Sequence, residues 1–265
     1  MMETMYGWLT CDLSRIVAQS LADYYFLSFS SKANTFVQCM RKLGTRLFST
    51  FKAHPEYTTR IMKFRNCLLQ LREVCLKSKF RIIKTIRAPM TETWETLQKI
   101  EGSKVLHLIR DPRPTIDSKR KSGMCSRKLG GVKQCSKKHC DRQVDDTIIR
   151  QNAAIKEPDR FGVVLYENIV TTPLKASKRM YKFAGLEFTK QVSDYVYNVT
   201  LGGDNTGCKV CQQGWQMGKS NSSTTSHVTA WQTNMKPLHI QLTQLACIDV
   251  MKTYGYEYFL AEDRS

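Results

Sequence analysis

The stretch Lys104–Lys119, with the sequence KVLHLIRDPRPTIDSK, decides the fold. Its opening run, Lys104–Ile109, is short and apolar, which predicts a buried β-strand. Pro112 ends this strand, because proline lacks the N–H that a β-ladder needs. Arg110 then emerges at the carboxyl end of the strand, where open parallel sheets bind nucleotides. The stretch therefore predicts a strand, a turn and an anion-binding edge.

Two further β-branched runs accompany this strand: Phe80–Arg87 (FRIIKTIR) and Phe161–Tyr166 (FGVVLY). Each run is separated from the next by enough residues to hold a helix. Strands that alternate with helices are typical of a parallel sheet. The sequence thus predicts an α/β fold, a parallel sheet flanked by helices.

Three helices are predicted after the central strand. They span Asp145–Lys156, Pro173–Ala184 and Lys236–Tyr254, and Gly185 and Gly255 follow the last two. Proline at a helix start and glycine just past its end are typical helix boundaries. Helical spacing in the last helix predicts one buried face, formed by Leu238, Leu242, Leu245, Ile248 and Met251.

The chain is predicted to be a single domain over 1–265. Residues 1–79 are mostly helical in pattern. Segment 119–142 carries nine basic residues and one acid, with glycines between them, which predicts a basic loop. Segment 201–227 is rich in Gly, Ser, Thr and Asn and is predicted to be irregular.

The charge indicates an anionic partner. Forty-one Lys and Arg stand against 23 Asp and Glu, a net charge of +18. A basic surface concentrates polyanions around it, and the nine cations of 119–142 suit an anionic glycan. No zinc finger, RRM signature or aromatic-basic pattern supports nucleic-acid binding. The chain as given shows neither a signal peptide nor an apolar membrane span.

The cysteines favour disulfides. Ten cysteines and two glycosylation sequons, at Asn198 and Asn221, suit an oxidising, glycosylating compartment. A zinc site using Cys208 and Cys211 is the alternative, but the second Cys-x-x-Cys that would make the spacing specific is missing. We therefore predict disulfides, with pairing left open, and no metal.

Several short stretches resemble the carbohydrate sulfotransferases, the Golgi enzymes that sulfate the 6-hydroxyl of galactose, N-acetylglucosamine or N-acetylgalactosamine. Their Arg-Asp-Pro-Arg turn and the serine eight residues after its first Arg are matched here by Arg110–Arg113 and Ser118. Other similar stretches occur in the family's order along the chain, and they are Leu9–Ser14, Ile83–Arg87, Val164–Asn168, Pro173–Leu174, Tyr181–Leu186, Ser226–Trp231 and Cys247–Tyr256.

The resemblance implies a P-loop sulfotransferase fold and sulfuryl transfer from 3′-phosphoadenylyl sulfate to a sugar hydroxyl in a glycan such as chondroitin or keratan. It also implies residence in the Golgi lumen. In the family, the positions of Arg110 and Ser118 hold the 3′-phosphate of the donor. The predicted donor-binding set is Arg110, Asp111, Pro112, Arg113 and Ser118.

Four cations at two places in the sequence are predicted to contact the substrate. Lys84 and Arg87 flank Thr85 and could offset the charge of the transferred group; solvation at the surface is the alternative. Lys119 and Arg120 are the other predicted substrate contacts. His107 is interpreted as a core residue. The general base is not identified, because Glu167 fits a structural acceptor as well as a base.

One landmark of the family is not found. These enzymes open their fold with a strand and a Gly-Ser/Thr loop that cradles the 5′-phosphosulfate, and we predict that this chain lacks both. The nearest candidate, Arg41–Arg46, has a single glycine, a weak signal. The alternative function is therefore a non-catalytic sulfotransferase-like module that binds a glycan or a nucleotide.

Overall fold

A computed structural model describes residues 2–17, 31–43, 56–86, 88–126, 130–200 and 226–260. Arg87, the sequon at Asn221, and Cys208 with Cys211 lie outside these ranges. The chain divides into two compact units, one of residues 1–88 and 92–101, the other of residues 89–91 and 102–265. The single domain over 1–265 stays a prediction.

The first unit is built from helices. These are α1 (Met2–Thr10), α2 (Asn34–Leu43), α3 (Glu56–Leu76) and most of α4 (Met90–Gln98). Its core is apolar and includes Leu13, Phe36, Val37, Met40 and Leu71. Two disulfides, Cys11–Cys75 and Cys39–Cys67, cross-link it. Helices α1, α2 and α3 lie within the part of 1–79 that the structure describes, and a mostly helical pattern over the whole of 1–79 stays a prediction.

The segment Phe80–Ile86 follows α3 and is not a strand. Ile82 and Ile86 are 81% and 83% exposed, so neither side chain is covered. A strand needs a partner for its N–H and C=O groups, and no β-strand within the described ranges pairs with this segment. The prediction of a strand over Phe80–Arg87 is therefore wrong for residues 80–86.

The second unit contains a two-stranded parallel sheet. Strand β1 (Val105–Ile109) pairs with β2 (Phe161–Leu165), in a register that aligns Val105 with Phe161 and Ile109 with Leu165. Two of the three predicted strands and their parallel direction are thus confirmed. Both carboxyl ends lie at one edge, which places Arg110 beside Tyr166.

Helices make up the rest of this unit. They are α5 (Pro112–Lys121), α6 (Gly131–Lys156), α7 (Tyr166–Thr171), α8 (Pro173–Ala184), α9 (Lys190–Thr200), α10 (Ser226–Asn234), α11 (Pro237–Ala246) and α12 (Ile248–Tyr254). Residues 226–227 of the segment predicted to be irregular belong to α10, and 201–225 lie outside the described ranges. No helix within the described ranges is both long and apolar enough to cross a membrane.

Helix α8 has the predicted boundaries. Pro173 occupies its first turn, where a missing N–H costs nothing. Gly185 ends it in the left-handed region, at φ 71°, which glycine adopts without steric penalty. Local sequence signals alone therefore place this helix.

The basic segment differs from its prediction. Residues 119–121 end α5, and Gly131–Arg142 form the first half of α6, so the predicted loop over 119–142 is wrong for these parts. Val132, Ser136 and Cys140 recur every four residues and are buried, which gives the helix an inner face. On its outer face Lys137 pairs with Asp141 at i, i+4, 2.8 Å apart.

The predicted helix Lys236–Tyr254 is broken at Cys247 into α11 and α12. Its predicted buried face is wrong in part, because Leu238 and Leu245 are 61% and 68% exposed. Met251 is buried as predicted, and the other buried positions are Ile240, Thr243, Gln244, Cys247 and Val250. A disulfide, Cys140–Cys247, and the hydrogen bonds of Gln244 turn this other face inward.

Candidate functional site

Arg110 lies at the carboxyl edge of the sheet with an unsatisfied donor. Its Cζ is 4.2 Å from the ring centroid of Tyr166, the first residue after β2. Its Nε is buried, and no acceptor among the described residues lies within hydrogen-bond distance. A buried charged donor without an acceptor is costly. Arg110 as a whole is only partly buried, and it forms no ion pair or side-chain hydrogen bond with the described residues, so its planar guanidinium is suited to bind an external oxyanion.

Ser118 lies in α5, the helix that begins two residues after Arg110. It is exposed, and its backbone carbonyl accepts the N–H of Ser122. No side-chain hydrogen bond engages its hydroxyl within the described ranges, so the group is available to a ligand. The two residues predicted to hold the 3′-phosphate thus both keep free hydrogen-bonding groups.

Arg113 does the opposite and is directed into the protein. All three of its nitrogens reach protein acceptors: Nε and Nη2 donate to the Asp111 carboxylate, Nη2 at 2.7 Å. Nη1 donates to Gln244 Oε1 at 2.9 Å and to the Glu257 carbonyl at 2.7 Å. The guanidinium also stacks on Trp231, with Cζ 4.2 Å from the ring centroid. All three nitrogens of Arg113 are therefore engaged within the protein.

Asp111 and Pro112 share this interior position. Asp111 caps α5 by accepting the backbone N–H of Arg113 at 2.8 Å, and it is buried. Pro112 occupies the first turn of the helix and is buried too. The prediction that Asp111, Pro112 and Arg113 bind the donor is not supported by their contacts. They hold the turn that presents Arg110 and start the helix that presents Ser118.

Glu167 is a structural acceptor in this arrangement. Its Oε1 accepts the backbone N–H of Asp111 at 3.0 Å, and its Oε2 accepts the hydroxyl of Tyr256, also at 3.0 Å. Burial raises the pKa of Tyr256 well above its usual value, and the negative charge of Glu167 raises it further. Because both carboxylate oxygens are engaged, the structural interpretation of Glu167 is the better supported one.

The cations after the turn have partners in the protein. Lys119 Nζ lies 3.1 Å from His139 Nδ1. Arg120 Nη2 donates to Asp117 at 2.9 Å, and Lys121 lies 2.6 Å from the same carboxylate. Although burial acts to raise the pKa of Asp117, these two hydrogen bonds hold it below its usual value. Lys119 and Arg120 therefore offer less to a substrate than sequence alone predicts.

Lys84 and His107, which the sequence analysis also considered, have different surroundings. Lys84 is exposed and belongs to the first unit. His107 lies in β1, where burial lowers its pKa although the charge of Asp146 acts to raise it. Its Nδ1 is buried without an acceptor or donor in the described part of the chain. A neutral core residue is the interpretation that these surroundings favour.

His139 makes the stability of this unit pH-dependent. Burial, followed by the charges of Lys119 and Arg142, lowers its pKa to about 4 from the usual 6.5. Since the unfolded chain then binds the proton first, stability is fully present above pH 6.5 and is lost as pH falls towards 4. At ~1.4 kcal/mol per pH unit, we expect a loss of about 3 kcal/mol, measured by urea unfolding at a series of pH values.

His139→Gln is the control for this pH effect. Glutamine cannot titrate, so the variant should lose about 3 kcal/mol less than the natural chain between pH 6.5 and 4. Other histidines and Asp117 titrate equally in both proteins and cancel in the comparison. Parallel pH curves for the two proteins would contradict the assignment.

A sequence model of the sulfotransferase family matches residues 19–190. The chain belongs to the sulfotransferase family. The curated proteins that it resembles include carbohydrate sulfotransferases, which confirms the family resemblance seen in the sequence. Its helix-rich fold with a small parallel sheet is consistent with the α/β fold that the resemblance implies. That the fold is of the P-loop type, and that its first strand and loop are missing, stay predictions.

The relatives are distant and longer. Carbohydrate sulfotransferase 1 of Danio rerio is 24% identical over 201 residues, which cover 70% of this chain and 46% of that protein. Carbohydrate sulfotransferase 3 of Homo sapiens is 26% identical over 214 residues, 72% of this chain and 41% of that protein. The chain thus spans less than half the length of these relatives. No solved structure matches it.

Sequence reasoning missed the residues that support the turn. Two of them are aromatic rings under an arginine: Tyr166 lies under Arg110 and Trp231 under Arg113. The other two form hydrogen bonds, Gln244 with Arg113 and Tyr256 with Glu167. Tyr166 carried a local signal as the end of a predicted strand, and Trp231 and Tyr256 each end a stretch that resembles the family, but none of these signals pointed to a contact with the turn. The described residues contain no group of three His, Cys, Asp or Glu side chains placed to bind a metal.

Proposed function

We propose that this chain is a carbohydrate sulfotransferase that uses 3′-phosphoadenylyl sulfate as donor. The acceptor in this proposal is the 6-hydroxyl of an N-acetylglucosamine, galactose or N-acetylgalactosamine residue in a glycan such as chondroitin or keratan. The single observation that carries the donor assignment is the partly buried guanidinium of Arg110, which lies over Tyr166 at the carboxyl edge of the sheet and forms no ion pair or side-chain hydrogen bond in the described part of the chain. It supports an oxyanion site at this edge of the sheet.

In this proposal, Arg110 and Ser118 bind the ribose-linked 3′-phosphate. Arg110 supplies a planar, permanently charged fork, and Ser118 supplies a hydroxyl from the exposed side of α5. The adenine nucleotide, when bound, supplies the sulfuryl group. The chain's own part is to fix the nucleotide so that the acceptor hydroxyl meets that group in line. Lys84 and Arg87 are proposed acceptor-side cations, as are Lys119 and Arg120.

Arg110→Ala should weaken binding of adenosine 3′,5′-bisphosphate. A hydrogen bond to a charged group contributes about 1.5–3 kcal/mol, which predicts a rise in Kd of roughly 10- to 150-fold. Arg110→Lys keeps the positive charge but loses the planar guanidinium, which can donate two hydrogen bonds to one phosphate, so we expect an intermediate Kd. Isothermal titration of the full chain measures all three proteins.

Lys137→Ala is the matched control for this titration. It also removes one positive charge from the second unit, but Lys137 lies on the exposed face of α6, paired with Asp141. Its Kd should stay within about twofold of the natural value, because exposed charges separated from a ligand are screened by salt. If Arg110→Ala and Lys137→Ala weaken nucleotide binding equally, Arg110 contributes only through the net charge of the chain and not through a direct contact.

The second candidate is a non-catalytic nucleotide- or glycan-binding module. One observation favours it: the described residues that suit the donor, Arg110 and Ser118, are those proposed to bind its 3′-phosphate, at the end away from the transferred sulfuryl group. Incorporation of labelled sulfate from the donor into desulfated chondroitin or keratan separates the two functions. Nucleotide binding without incorporation supports the module, whereas incorporation that Arg110→Ala abolishes supports the enzyme.

The Golgi lumen is the proposed location. Four disulfides link the described cysteines, and such bonds persist in oxidising compartments of the secretory pathway. The sequon residue Asn198 is exposed on α9, so its amide is accessible.

A further inference from the structure

A second candidate site lies between the sheet and α8, with a lining distinct from Arg110 and Ser118. It is an open cavity of about 390 Å³, within the range of about 300–1,000 Å³ usual for small-molecule sites. Its walls are mainly apolar and include Leu106, Val164, Ala176, Met180 and Phe183. Neither Arg110 nor Ser118 lines it.

The burial of α8 decreases from its start towards its end beside the cavity. Ala176 and Ser177, near the start of the helix, are buried. Met180 and Phe183, one and two turns later, are only partly buried. Gly162 in β2 leaves space in the cavity, because a Cβ at this position would lie 3.1 Å from the Phe183 ring. The result is a wedge with an apolar lining and an open end.

The open end is cationic. A neighbouring depression of about 460 Å³ shares Arg179 and Phe183 with the cavity and adds Lys104 and Lys182 to its lining. Asp159 is the acid in that lining, so the charges there sum to a positive value. Arg179 and Lys182 are i, i+3 neighbours on α8 and both are exposed. Lys104 Nζ already donates to the Phe183 carbonyl at 2.8 Å.

We propose that this wedge binds a single-chain anionic amphiphile, with its alkyl chain in the cavity and its head group on Arg179 and Lys182. A small inorganic anion would leave the apolar walls in water, including Leu106, which is 38% exposed. A neutral apolar ligand would leave the cations unpaired. An amphiphile with a phosphate, sulfate or carboxylate head satisfies both parts of the site.

Titration of the full chain with n-dodecyl phosphate below its micelle concentration tests this proposal. We expect one molecule bound per chain, and a Kd about tenfold weaker in Arg179→Ala, which removes the guanidinium shared by both depressions. Leu106→Ser should also weaken binding, because it places a hydroxyl in the apolar wall. Both residues are at the surface, so the variants should fold, and circular dichroism checks this.

Matched controls define the outcome. Lys175→Ala removes an exposed charge from α8 outside the lining and should bind as the natural chain does. Dodecyltrimethylammonium and inorganic phosphate should not bind, and excess adenosine 3′,5′-bisphosphate should not displace dodecyl phosphate. Equal Kd values for Arg179→Ala and Lys175→Ala would overturn the proposal. So would displacement by the nucleotide, or binding confined to anionic phospholipid vesicles.

Discussion

Replacing Arg113 with Met is expected to lower the free energy of unfolding by about 3–5 kcal/mol, the usual cost of breaking a buried ion pair. Arg113 and Asp111 are 5% and 6% exposed. The substitution leaves the Asp111 carboxylate charged, buried and without its partner. It also removes the donors to Gln244 Oε1 and the Glu257 carbonyl. Urea unfolding followed by tryptophan fluorescence measures the loss.

Arg120→Met is the control for this prediction. Arg120 lies in the same helix and also pairs with an aspartate, but its side chain is 31% exposed and Lys121 shares the carboxylate of Asp117. We expect a loss of about 1 kcal/mol or less. A double variant, Asp111→Asn with Arg113→Met, should recover part of the stability, because the uncharged amide is less costly to bury. Similar losses for Arg113→Met and Arg120→Met would contradict the structural role.

Removing the Cys140–Cys247 disulfide by a double Ala substitution should lower the free energy of unfolding by about 5 kcal/mol. The bond closes a segment of 107 residues, and the entropy lost by the unfolded chain grows with the length of the closed segment. Cys140 and Cys247 are also fully buried against Val250 and Met251. Urea unfolding of the oxidised proteins measures the change.

The Cys125–Cys135 disulfide is the matched comparison. It closes only 10 residues in the same unit, so the double Ala variant should lose about 3 kcal/mol by the same relation. The difference of about 2 kcal/mol between the variants isolates the effect of segment length. A larger loss from removing Cys125–Cys135 would show that closure entropy does not dominate here.

Local signals in the sequence were sufficient where a residue's conformation depends on its near neighbours. The apolar run before Arg110 predicted β1, and proline and glycine placed both ends of Pro173–Ala184. The same kind of reasoning failed for Phe80–Arg87, because a β-branched run becomes a strand only when another strand pairs with it. It failed again for Gly131–Arg142, whose burial against α11 outweighs the glycines and charges.

The sequence by itself determined that the chain is a basic α/β member of its family with an Arg-Asp-Pro-Arg turn after a strand. The resemblance assigned the 3′-phosphate to Arg110 and Ser118, but the sequence kept Arg113 in the same donor-binding set, because both arginines are guanidinium groups in one turn. Tertiary structure distinguishes the contacts of the two arginines: it places Gln244 and Glu257, more than 100 residues away, against Arg113, and it leaves Arg110 Nε without an acceptor in the described part of the chain. Which donors stay free depends on packing between distant segments, and no local pattern encodes that packing.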